Sequence, residues 1–259
     1  MNRILILVFA VFVLSSCMPD KRTQVPPPSK LPAVKVLFIG NGYTQYNQMP
    51  KMLEYISRTN LQSGFQIQTD IISKEGANLD DIWNDEALRE KLYTQKWDFV
   101  VLQPHGTWAV NNRIQKNTYE AVRVWSLAIQ TTKAKPVWFM TWIMQPGSAW
   151  YQKGQAAITR SPDFMFQHTY QQSLKLINGY KMLNVPIGSY WMFSHERHQD
   201  IGLYAENGAH PSLFGSYLNA VLFYRYLTGK DIIEDTFRPE SISQEQFKKI
   251  KSIAYTELP

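Results

Sequence analysis

The sequence predicts an α/β protein, a three-layer sandwich with a central parallel sheet, and three observations predict it. Short β-rich runs alternate with helical runs along most of the chain, which is the pattern of strand–helix–strand crossovers. Runs such as "VKVLFIG" and "WDFVVLQ" are nearly continuous in apolar residues, as strands covered on both faces are. The chain has 259 residues, 44% of them hydrophobic, enough for one good-sized domain with a sizeable core.

In chain order, Val34–Gly40 is a strand ending in glycine. "MPKMLEYISRTN" is a helix with Met49, Leu53 and Ile56 on one face. "FQIQTDIIS" alternates like a strand. "LDDIWNDEALREKLY" reads as one helix, acidic early and basic late, as the helix dipole favours. "WDFVVLQ" is a strand, "TYEAVRVWSLAIQTT" a helix, and "KPVWFMTW" a strand. Asp163 to Leu183 is mostly helical, and "VPIGSYW" is a further short strand. "PSLFGSYLNAVLFYRYLTG" is a long apolar helix capped at Gly229, and "SQEQFKKIKSIAYTEL" is a closing amphipathic helix.

The first 33 residues stand apart. Arg3 and the apolar run Ile4–Leu14 have the charge and length of a signal peptide. "LSSC" resembles the lipobox of bacterial lipoproteins. That resemblance implies cleavage after residue 16 and a lipid, palmitate included, on Cys17, the chain's one cysteine. The expected partner is then a membrane, reached through lipid rather than a spanning helix, and the expected location is the bacterial cell envelope, facing the periplasm. Residues 17–33 form a polar, proline-rich tether, and residues 34–259 the domain.

Charge narrows the function. The net charge of +6 is scattered, with no dense basic stripe interleaved with aromatics, so nucleic acid is not an expected partner. There is no Walker-type or dinucleotide glycine loop, and no cofactor is expected. His195 and His198 in "HERH" have spacing that could serve a metal only on one helical face and with a third ligand. A surface pair is the simpler reading, and no metal is expected.

Ligands of parallel α/β sheets sit beyond the carboxyl ends of the strands. There the chain reads "VLFIGNGYTQYNQMPKML", "KEGANLDDIW", "DFVVLQ" and "LYAENGAHPSLFGSYLNAVLFYRYLTGK". In order and spacing these four segments resemble the blocks of the SGNH hydrolases, the superfamily of GDSL-type esterases. The resemblance covers roughly Val34 to Lys230. It implies acyl transfer by serine, histidine and aspartate, with donors around the oxyanion. Gly42 stands at the serine position and Asn207 at the aspartate position, while His210 is retained. Gly76 and Asn78 are implied oxyanion donors, and Gln103 a substitute for the absent asparagine of the third block.

A degenerate site is therefore expected, binding an acylated or glycan ligand with little or no turnover. The alternative is an active ester hydrolase, such as a carbohydrate deacetylase. It would use His210 on water, with the Asn207 carbonyl accepting the other ring N–H, or a displaced nucleophile. Tyr43 and Thr44 adjoin Gly42 but a turn aims neighbours apart, and Ser212 reads as a helix cap. Trp108, Trp142, Trp150 and Trp191 follow or end predicted strands; they either form a ligand groove or pack the loops together. His105 faces the site or is a loop histidine.

Overall fold

A computed structural model of the chain describes residues 20–151, 161–198 and 200–258. The expected signal peptide and the expected lipidation site, Cys17, lie outside the described residues. Five parallel strands form one sheet in the order β2-β1-β3-β4-β5. They are β1 (Ala33–Gly40), β2 (Gln66–Ser73), β3 (Phe99–Leu102), β4 (Lys135–Phe139) and β5 (Leu183–Val185). The register runs from Ala33 beside Gln66 to Gly40 beside Ser73, so β1 and β2 end together.

The helices are α1 (Gly42–Gln45), α2 (Met49–Thr59), α3 (Leu79–Asn84), α4 (Glu86–Glu90), α5 (Asn112–Thr132), α6 (Pro162–Tyr180), α7 (Ile187–Arg197), α8 (Leu213–Thr228) and α9 (Gln244–Tyr255). Alternate side chains of β1 separate the two cores. Val36 and Phe38 join the layer of α2, α8 and α9, whereas Leu37 and Ile39 join that of α3 and α5. Phe223 of α8 meets Phe38 and Phe139 edge-on, each at 5.0 Å. This central seat explains why α8 is apolar nearly all round. Its ends follow their signals: Ser212 accepts from Gly215 N–H at 3.0 Å, and Gly229 takes a φ of 66° that a Cβ would disfavour.

Two element expectations need correction. The segment expected as one helix over residues 79–93 divides at Asp85, which is extended and caps α4 through Leu88 N–H. The hydrogen-bonding side chain of Asp favours such a break over helix interior. "VPIGSYW" is not a strand. The strand, Leu183–Val185, ends at its first residue, and Ile187 opens α7. Its short apolar run has no decisive period, and burial against the sheet edge settles the assignment.

The described part of the tether lies against the domain. Asp20 pairs with Arg238 at 2.8 Å, and Ser29 N–H donates to Gln66 at 3.1 Å. Among the described residues, no helix is long and apolar enough to cross a membrane.

Candidate active site

The turn after β1 is built from below. Gln103, which follows β3 and is 1% exposed, accepts from Asn41 N–H at 2.8 Å and from the Thr44 hydroxyl at 3.1 Å through one oxygen. Its amide N–H donates to the Pro104 carbonyl. A Cβ at Gly40 would come within 2.4 Å of that same Gln103 oxygen, so glycine there is a packing requirement. Asn41 caps α1 by accepting from Tyr43 N–H at 3.1 Å, and it donates to Ala77 O at 2.9 Å. The turn therefore keeps its shape without reference to a nucleophile. Gln103 stands at the strand end where it was expected, but its amide is committed to Pro104 and braces the turn rather than facing a ligand.

Gly42 occupies the tip. A Cβ there would lie 2.9 Å from His210 Nε2 and 2.8 and 3.0 Å from the two carboxylate oxygens of Glu75. Glu75, from the loop after β2, thus places its carboxylate where a side chain on residue 42 would go. Its nearest oxygen is 3.6 Å from His210 Nε2, and its side chain is 67% exposed. Sequence reasoning passed over Glu75. Its one signal was position, immediately before Gly76 in the second block, and a solvated loop glutamate carries no pattern of its own.

Asn207 and His210 come together on the loop before α8, three residues apart. The Asn207 oxygen accepts from both Ala209 N–H and His210 N–H, each at 3.0 Å. The backbone O of Asn207 accepts separately, from Trp150 Nε1–H at 2.8 Å. With its oxygen held by two donors, the amide must aim its NH2 at His210 Nδ1, 2.7 Å away. Nδ1 is then an acceptor, and the ring proton resides on Nε2. The Asn207 carbonyl does not accept from the ring, so the expected arrangement for direct water activation by His210 is not formed. Tyr46 stacks on the imidazole at 4.2 Å and Tyr43 meets it edge-on at 5.6 Å. Burial lowers the His210 pKa below its ordinary 6.5, opposed by the Glu75 charge. With Nδ1 accepting from Asn207, Nε2–H is the donor on the Gly42 side.

Displaced nucleophiles fare poorly. Tyr43 is 5% exposed, its hydroxyl against Met144 Sδ at 3.3 Å, and burial pushes its pKa upward. Thr44 is fully buried on Gln103. Ser212 caps α8 and donates to Gly202 O at 2.6 Å. Gly76 has a φ of 65°, the left-handed region glycine accepts. The N–H and side-chain amide of Asn78 both donate to Asp81 at the start of α3, at 2.9 and 3.1 Å.

The tryptophans correct the groove expectation. Trp108, Trp142 and Trp191 are at most 1% exposed and line no open surface. Trp191, Trp142 and Tyr43 form a three-ring stack with spacings of 4.1 and 4.5 Å, and the indole N–H groups of Trp142 and Trp191 bond to Ala209 O and Asn219. They pack the loops together, the simpler of the two readings. His105 is a loop histidine whose Nδ1 meets Thr107. A cavity of about 1340 Å³ lies elsewhere, among Phe166, Tyr190, Phe193 and Tyr226, and includes none of Gly42, Glu75, Asn207 or His210.

No family model and no curated protein matches the sequence. Solved structures do match the fold. A protein described as an SGNH hydrolase, from Slackia heliotrinireducens, superposes with a TM-score of 0.61 at 23% identity, over 75% of this chain and 99% of the other. A DUF4886 family protein from Bacteroides uniformis gives a TM-score of 0.72 at 16% identity, over 86% and 93%. An acetyl xylan esterase from Geobacillus stearothermophilus gives 0.56 at 14% identity, over 79% and 99%. At these identities the likeness establishes the fold.

Proposed function

The fold is that of the SGNH hydrolases, and we propose that its site in this chain is a degenerate one, binding an acylated or glycan ligand with little or no turnover. One observation carries the reading. The Asn207 oxygen is held by two backbone N–H groups, which turns its NH2 onto His210 Nδ1 and leaves the proton on Nε2. A general base at Nε2 needs the opposite tautomer. In serine proteases, replacing the triad aspartate by asparagine imposes the same error and lowers kcat about 10⁴-fold. The missing side chain at Gly42 removes the nucleophile itself, a loss of about 10⁶ where it has been measured, and the two losses do not add because the parts act as one unit.

The acetyl xylan esterase among the structural neighbours supports a carbohydrate as the ligand. The lipobox-like "LSSC" supports an anchor on an envelope membrane through Cys17, with the site facing the periplasm.

Three measurements on residues 20–259, which keep β1 and the segment packed against the domain, test the site reading. Nitrogen NMR of labelled histidine should find the His210 proton on Nε2. A short-chain nitrophenyl ester should be hydrolysed no faster than in buffer, and a fluorophosphonate should leave the protein unlabelled. Robust turnover abolished by His210→Ala would sink the reading.

A further inference from the structure

We infer that Glu75 and His210 together form a seat for a free hydroxyl group, so that the ligand of this site is a deacylated carbohydrate rather than an acyl ester. The inference rests on the binding reading above and names its ligand class.

Glu75 Oε1 and His210 Nε2 are 3.6 Å apart, too far for a good hydrogen bond. Among the described residues, Glu75 has no other hydrogen-bond or ion-pair partner. An ionised carboxylate only accepts, and Nε2–H, fixed by Asn207, only donates. An oxygen at about 2.8 Å from each, an ordinary hydrogen-bond length, closes a triangle with the observed separation. That oxygen must donate one hydrogen and accept another. An alcohol does both. An ester oxygen has no hydrogen to give, and its approach to the Glu75 carboxylate sets two acceptors face to face.

Gly42 is what makes the seat. A serine would bring a Cβ within 3.0 Å of both Glu75 oxygens and of Nε2, into the space the carboxylate uses. A side chain on residue 42 would therefore push the exposed Glu75 carboxylate away from the seat. Tyr46, stacked on the imidazole and 38% exposed, adds an aromatic face beside the seat, suited to the C–H face of a sugar ring. A water can also sit there, but Nε2–H then occupies one of its lone pairs.

The test uses methyl β-xyloside and methyl β-glucoside, each free and fully O-acetylated, titrated into residues 20–259 by calorimetry while the His210 Nε2 resonance is followed. The free glycoside should bind roughly tenfold or more tighter than its acetylated form and shift the Nε2 signal. Glu75→Gln should weaken that binding roughly tenfold or more, as removal of a charged hydrogen bond does. Thermal midpoints check that the variant folds. Equal or tighter binding of the acetylated form, binding indifferent to Glu75→Gln, or no binding of any probe overturns the inference. Binding of the acetylated form without cleavage would leave the degenerate-site reading standing. Cleavage through an acyl-enzyme would overturn that reading instead.

Discussion

Two layers of the site differ in kind. Beneath it, Gln103, Asn41, Thr44, Tyr43, Trp142 and Trp191 are buried, each 5% exposed or less, and joined by hydrogen bonds or ring stacking. Above it, Glu75 and Asn207 are exposed and His210 is partly so. The lower layer holds the shape of the strand-end turn, and the upper layer decides its chemistry. The difference teaches that the shape of the strand-end turn is fixed by burial that the exposed groups above it do not share.

The sharpest way to break that separation is to rebuild the upper layer. Gly42→Ser with Asn207→Asp should gain ester hydrolysis over Gly42→Ser alone by about 10⁴-fold, since the aspartate restores Nδ1–H and a basic Nε2. Adding Glu75→Ala should raise the rate further, by about tenfold, the equivalent of roughly 1.4 kcal/mol of Glu75 competing for His210. Steady-state rates on a nitrophenyl ester check both. If the triple variant is inert, the lower layer does not preserve a hydrolase geometry.

Breaking the lower layer should act on stability instead. Trp142→Ala removes the middle ring of the stack and its N–H to Ala209 O, and should cost about 3–5 kcal/mol in urea denaturation. Glu75→Ala should stay within about 0.5 kcal/mol by the same measurement. Comparable losses in the two variants would erase the contrast between the layers.

The smallest effect is on titration. His210 has its pKa lowered by burial and partly restored by Glu75. Glu75→Gln should lower it further, and Asn207→Asp should raise it, both read from the ring proton shifts. The sign for stability follows. The unfolded chain takes up the proton near pH 6.5 while the folded ring resists it, so His210's contribution is present above that pH and is lost on acidification below it. A pKa unmoved by Glu75→Gln would show that the carboxylate does not act on the ring.

Much of this was legible in the residues. Continuous apolar runs marked β1, β3 and β4, the glycine at Gly229 marked the end of α8, and Ser212 marked its start. The altered positions Gly42 and Asn207 stood in readable motifs because each is fixed by its neighbours along the chain. Other features were not legible. The sequence placed tryptophans near strand ends but not their depth, since burial depends on what α7 and α8 bring against them.

What the sequence determined by itself is local: period, caps, turn glycines and the three-residue spacing of Asn207 and His210. Only the tertiary structure decided the rest. It set Glu75 over Gly42, because β1 and β2 end in register with Gly40 beside Ser73. It set the His210 proton, because two backbone N–H groups of a folded loop hold the Asn207 oxygen. Both depend on distances of a few ångströms between groups brought together by packing, and linear order carries no such distances.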